Sequence, residues 1–161
     1  MNRIRLTTFE ALLRNLRKEM PEITYFEMSR WVVSNMTEKF RKEDYGKTSV
    51  KLKPGRTCGT AACALGTATL FPPFAALGLT MCYELPHFRN HTGTMAGAKF
   101  FGISHAQSRW LFLPTLYNPR FDPAKHNTNW SENDVEIRIK PEMVADRVRQ
   151  ILDGTAPKLK P

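Results

Sequence analysis

Apolar positions recur at helical spacing near the start of the chain: Phe9, Leu12, Leu13, Leu16 and Met20 share one stripe, which Pro21 ends. Thr7 and Glu10 stand as a T-x-x-E capping box, with Leu6 and Ala11 placed as its hydrophobic staple, so a helix is predicted over 7–20. Met28, Trp31, Val32, Met36 and Phe40 form a second stripe that predicts a helix over 27–41. The pattern then changes period. Val50 and Leu52 alternate with polar residues, as do Val135, Ile137 and Ile139, and each run reads as a two-faced strand. A third helix is expected over 58–71. A tight pair follows over 94–101 and 105–113, with Gly102 as C-cap and Ser104/Gln107 as a second capping box. Residues 114–133 are rich in Pro, Asn and Asp and read as irregular. The last helix, Pro141 to Asp153, has Pro at its first position, Gly154 past its end, and Val144, Val148, Ile151 and Leu152 on its buried side.

These elements predict a mostly α fold of about six helices with a small two-stranded antiparallel ribbon, 48–53 against 135–139. A single compact domain is expected over 1–154, followed by a flexible tail over 155–161. With 161 residues, 42% hydrophobic and 24% charged, the composition is that of a folded globular protein rather than a disordered one. Three cysteines, an odd and sparse count, argue against a disulfide scaffold and for a reducing compartment, the cytoplasm of a bacterial cell. The first residues carry charge throughout, so no signal-peptide core is expected there. Residues 57–83 hold no charged side chain, yet Pro72-Pro73 splits them and threonines dilute them; a buried helix and turn are expected, with no membrane partner.

Charge changes the picture more than composition does. The formal net charge is +9, and residues 1–56 hold thirteen Lys/Arg against seven Asp/Glu. The densest stretch contains Lys39, Arg41, Lys42, Lys47, Lys51, Lys53 and Arg56 against only Glu43 and Asp44. Such a segment attracts polyanions by counterion release. It serves equally as a solvated face that keeps a protein dispersed.

Three motifs carry candidate chemistry. Cys58-Gly-Thr-Ala-Ala-Cys63 opens the third expected helix, where backbone N–H groups and the helix dipole favour a thiolate. If the protein is an enzyme, Cys58 is the nucleophile of a cysteine hydrolase, although no histidine stands in a predicted strand to serve it. The small residues Gly59, Ala62 and Gly66 also suit a helix gripped closely by its neighbours, with no catalytic role. If a metal is held, Cys82, His87 and His91 in C-x4-H-x3-H spacing are the ligands. No cofactor is expected. Lastly, residues 98–110 have the Ala, turn Gly and following apolar residue of a helix-turn-helix, which would place His105, Ala106, Gln107 and Arg109 on a recognition helix. Ser108 stands where that motif needs a buried aliphatic, and Trp110, Leu111 and Phe112 look like core. Tyr117 likewise reads as core, or as an aromatic anchor of a contact surface.

CGTAACALGTA around Cys58 and FFGISHAQSRWLF further on together resemble an uncharacterised family of small bacterial and phage proteins. Its pattern is C-G-T-x-A-C-x-A-G, then G-[IL]-[ST]-x-x-x-A-x-x-L-F. Phe26-Glu-Met-Ser-Arg-Trp31 resembles the aromatic segment that precedes the cysteine motif. Leu65 and Ser108 both stand where the pattern has alanine. The resemblance implies a helical domain in a phage or bacterial setting and supplies no activity. The expected function is that of a non-catalytic binding protein, a phage or mobile-element accessory factor engaging a host protein or nucleic acid through its basic surface. Direct DNA or RNA binding by the basic segment and the helix–Gly–helix corner is the alternative.

Overall fold

The computed structural model describes residues 1–26, 32–33, 60–82, 85–117 and 139–157. Among them are seven α-helices: α1 (Arg3–Arg14), α2 (Leu16–Glu19), α3 (Ala64–Leu70), α4 (Pro72–Ala75), α5 (Gly93–Phe101), α6 (His105–Phe112) and α7 (Pro141–Asp153). A 3-10 turn covers Pro114–Tyr117. Six short strands complete the described part: β1 (Ile23–Phe26), β2 (Val32–Val33), β3 (Thr60–Ala62), β4 (Thr80–Cys82), β5 (Leu85–Phe88) and β6 (His91–Thr92). They form two three-stranded sheets. In one, β3 lies between β1, its parallel neighbour, and β2, its antiparallel one; the other is an antiparallel meander in the order β4-β5-β6. The described part is thus mostly helical with a small β component, as expected, and its strands lie where none was predicted.

The core is built on phenylalanine. Phe9, Phe74, Phe100, Phe101 and Phe112 are all fully or almost fully buried. Phe101 lies 5.0 Å from both Phe9 and Phe100, ring centre to ring centre, and Phe74 lies 5.1 Å from Phe100. Most of these pairs are tilted or edge-to-face, the arrangement the ring quadrupole favours. On one side of this cluster α1 packs along α7. Glu10, buried at their seam, accepts from Arg14 Nε (3.0 Å) and Arg149 Nε (3.2 Å), while Arg14 also reaches Asp146 (2.9 Å).

Where local signals were strong the expected elements formed. α7 spans Pro141–Asp153 with Gly154 left-handed at its C-cap. α5 ends on Gly102, also left-handed, and α6 starts with a complete Ser104/Gln107 capping box. Elsewhere tertiary pairing overrode periodicity. α1 starts four residues before Thr7, at Arg3, capped by the Asn2 side chain accepting from Arg5 N (3.1 Å). The Thr7/Glu10 box does not form, because Leu6 is buried within the helix and Glu10 is turned to the two arginines. The expected single helix breaks at Asn15 and resumes as α2, though Leu16 and Met20 stay buried.

Two larger corrections concern the helices expected over 27–41 and 58–71. Val32–Val33 is a strand: the β-branched pair lies opposite Ala62 and Ala61, and the rest of 27–41 is outside the described residues. The helix expected from 58 begins only at Ala64, since Thr60–Ala62 is drawn out as the central strand of the first sheet. Beyond Leu70, Pro72-Pro73 starts the separate short α4. The meander over 80–92 was not expected, and β5 accommodates Pro86 within it. The predicted ribbon falls outside the described residues except for Ile139, which is buried. Past Gly154, Thr155 and Ala156 both donate to Gln150 O, and 158–161 lie outside the described residues. Among the described residues no helix is long and apolar enough to cross a membrane.

Candidate functional site

Lys39, Arg41, Lys42, Lys47, Lys51, Lys53, Arg56 and Cys58 all lie outside the described residues. Arg109 is described, and it stands exposed on α6 one turn after His105, whose Nε2 is 3.2 Å from Thr94 Oγ1. The helix–Gly–helix corner of α5 and α6 is therefore present, but its chemistry differs from a groove reader's. Ser108 is fully buried and donates to Thr94 O at 2.6 Å, tying α6 to the start of α5. Opposite it stands Gly97. A Cβ there would lie 2.8 Å from Phe112 Cε2, 3.1 Å from Ser108 Oγ and 3.2 Å from Leu65 Cδ2, so a glycine is what lets the helices meet.

The second half of α6 belongs to the core: Trp110, Leu111 and Phe112 are buried, as is Tyr117. Trp110 and Tyr117 sandwich the Arg147 guanidinium, with its Cζ 4.5 Å and 3.4 Å from the two ring centres. Arg147 donates to the carbonyls of Trp110 and of Leu116, the latter at 2.6 Å. Burial lowers its pKa, and burial raises that of Tyr117. These aromatics hold the 3-10 turn on α7 and offer no contact surface.

The thiol at the start of α3 is Cys63, not Cys58. Its sulfur accepts from Gly66 N at 3.3 Å, in the place where an N-cap oxygen usually sits. Helix-start geometry favours a thiolate, yet desolvation is larger and pushes the thiol up to about 12. With 1% of its surface exposed, Cys63 is a packed side chain and no nucleophile.

The pleat separates the candidate metal ligands. His87 lies opposite Thr80 and Thr92, whereas His91 lies opposite Phe88, the next residue along β5 and so on the other face. Cys82, two residues from Thr80, shares the face of His87. Two ligands on one face and one on the other cannot converge on one ion, and among the described residues no group of three or more metal-ligating side chains exists.

What the structure does bring together is a set of cations that the sequence keeps far apart. The start of α1 is wedged against the ends of two other helices. Arg3 donates to Leu152 O in the last turn of α7 (2.9 Å), and Arg5 to Phe100 O in the last turn of α5 (2.7 Å). Asn2 N donates to Phe101 O (2.9 Å), an approach that Gly102 permits, since a Cβ there would lie 3.0 Å from Asn2 N. Both arginines thus satisfy carbonyls that α5 and α7 leave open at their ends, and their charge suits the negative pole of each helix. Each guanidinium has five N–H donors and uses one in this way. Arg5 also lies over the Phe100 ring, its Cζ 4.4 Å from the centre, and Arg89 lies 5.2 Å from the centre of Phe88. An open cleft of about 580 Å³ results, in which Arg3, Arg5 and Lys99 supply the charge and Ile4 and Gly102 part of the wall. Among the described residues no carboxylate lines it, and none pairs with these three cations.

Sequence reasoning missed this cleft. One signal was readable: residues 85–117 contain Arg89, Lys99 and Arg109 and no Asp or Glu. Comparison with known proteins adds nothing to the geometry: no family model, no curated protein and no solved structure gives a significant match.

Proposed function

We propose that the protein is a non-catalytic binding protein, a phage or mobile-element accessory factor that engages a host macromolecule in the bacterial cytoplasm through a basic surface. The observation that carries this reading is the cleft in which Arg3, Arg5 and Lys99 meet with no carboxylate among the described residues. Two of the three are held by carbonyls, so their charged heads are placed before a partner arrives, which lowers the ordering cost of binding. The net charge of +9 extends the attraction beyond the cleft itself. The burial of the Cys63 thiol and the separation of His87 from His91 count against chemistry at those residues, while Cys58 lies outside the described residues.

Retention of bacterial lysate components on the immobilised protein tests the proposal, with and without nuclease and at low and moderate salt. A partner recognised by charge is retained at about 50 mM salt and largely lost by about 200 mM. Nothing retained at low salt, or a partner indifferent to salt, refutes it.

A further inference from the structure

We infer that the cleft of Arg3, Arg5 and Lys99 seats the phosphate backbone of duplex nucleic acid and reads no base sequence. This rests on the proposed function and names the partner of its basic surface. The argument starts from the donors. Arg3 and Arg5 each commit one N–H to a helix-end carbonyl, which fixes the guanidinium and leaves its other donors for an anion. Lys99, exposed on α5, adds a point charge on the same cleft. Planar forks and an ammonium around an opening that no carboxylate among the described residues lines suit phosphate oxygens.

Charge alone does not separate nucleic acid from an acidic protein or an anionic bilayer. Line charge does: a duplex carries a dense, regular row of phosphates with condensed counterions, whose release rewards each cation that replaces them. A bilayer partner needs an apolar face to sink into the headgroups. Here the exposed large apolar residues at the cleft are Met1 and Ile4 alone among the described residues. Single-stranded binders use exposed rings on which bases stack. The two rings beside this cleft, Phe88 and Phe100, are buried under Arg5 and Arg89, and no aromatic side chain is among the exposed large hydrophobics of the described residues. Backbone contact without stacking or groove-reading side chains is what a duplex accepts at any sequence.

Fluorescence anisotropy of the full chain with a labelled short DNA duplex, over a salt series, provides the test. The double variant R3Q/K99Q removes two cleft charges, while glutamine at position 3 keeps a donor for Leu152 O. The double variant R17Q/K18Q removes the same charge from α2, away from the cleft, and thermal melts confirm that both variants fold. R3Q/K99Q is expected to flatten the slope of log K against log salt by about two, equally on duplexes of different sequence. R17Q/K18Q is expected to leave it unchanged. An unchanged slope in R3Q/K99Q, or equal flattening in both variants, overturns the cleft assignment while the basic-surface reading stands. Preference for a single strand, or binding to anionic phosphatidylserine vesicles in place of the duplex, overturns the partner. So does absence of duplex binding at low salt while the lysate experiment retains a nuclease-resistant, salt-sensitive partner, and there too the broader reading survives. If nothing is retained in either experiment, both fall.

Discussion

Replacing Gly97 with alanine sets two effects of opposite sign against each other. In a helix interior alanine is favoured over glycine by about 1 kcal/mol, so G97A on an open helix face would stabilise. At the crossing of α5 and α6 the new methyl meets Phe112 Cε2 at 2.8 Å, Ser108 Oγ at 3.1 Å and Leu65 Cδ2 at 3.2 Å. None of the three has room to retreat. Phe112 and Leu65 are buried, and Ser108 Oγ is held on Thr94 O at 2.6 Å. Overpacking of a tight core costs about 1–3 kcal/mol, and three simultaneous contacts place this site at the upper end. The expected net loss is about 2 kcal/mol, which in a chain of this size lowers Tm by about 4–8 °C. Urea unfolding should show a lower midpoint with an unchanged slope. Gly154→Ala is the informative partner, since nothing lies within 4 Å of its added Cβ and only the left-handed backbone (φ +72) opposes it, at about 1–2 kcal/mol. If G97A melts at or above the wild-type temperature, the close approach of α5 and α6 is wrong.

Three further outcomes are expected. Ser108→Leu, which installs the aliphatic a helix-turn-helix wants, should destabilise by more than about 2 kcal/mol, because the leucine would have to fit against Gly97; a stable S108L in urea would restore the groove-reading interpretation of α6. Thr67 Oγ1 is buried without a hydrogen-bond partner among the described residues. Thr67→Val keeps the shape and removes the hydroxyl, so a gain of about 1–2 kcal/mol is expected, and a loss in the same assay would reveal a partner for that group. Cys63 supplies a pH dependence: its pKa rises from 9.0 to about 12 on folding, so the folded state binds its proton more tightly. The contribution is complete below pH 9 and declines above it by up to about 1.4 kcal/mol per pH unit until the folded pKa is reached. Measured as the stability difference between wild type and C63A, this should fall between pH 9 and 11; a flat difference would mean that Cys63 is not desolvated.

How far the chain could be read depended on where each element's instructions lie. α6 and α7 carry theirs within a few residues, in the Ser104/Gln107 box, the proline at the start of α7 and the glycine after it, and both were legible. β3 carries none: Thr60–Ala62 is a strand because β1 and β2 flank it, and that pairing moved the helix start from Cys58 to Ala64. The thiol at the helix start thereby changed identity, from Cys58 to Cys63. The cleft was illegible for a related reason. Arg3 and Arg5 precede the helix expected from Thr7, and Lys99 is some ninety positions further on; only the docking of three helix ends makes them neighbours. The metal-like spacing of Cys82, His87 and His91 failed on a pleat that spacing alone does not reveal.

The seam between α1 and α7 has a consequence for how the chain reaches this state. Glu10 and Arg149, which meet there, are 139 positions apart, and Arg3 and Leu152 are 149 apart. At about 5–20 residues per second of synthesis, α1 waits on the order of ten seconds for the helix that covers it. During that interval Phe9 can already meet Phe101, but the carboxylate of Glu10 lacks the Arg149 partner that it later has. The packing of α1 is therefore completed only once α7 has been made.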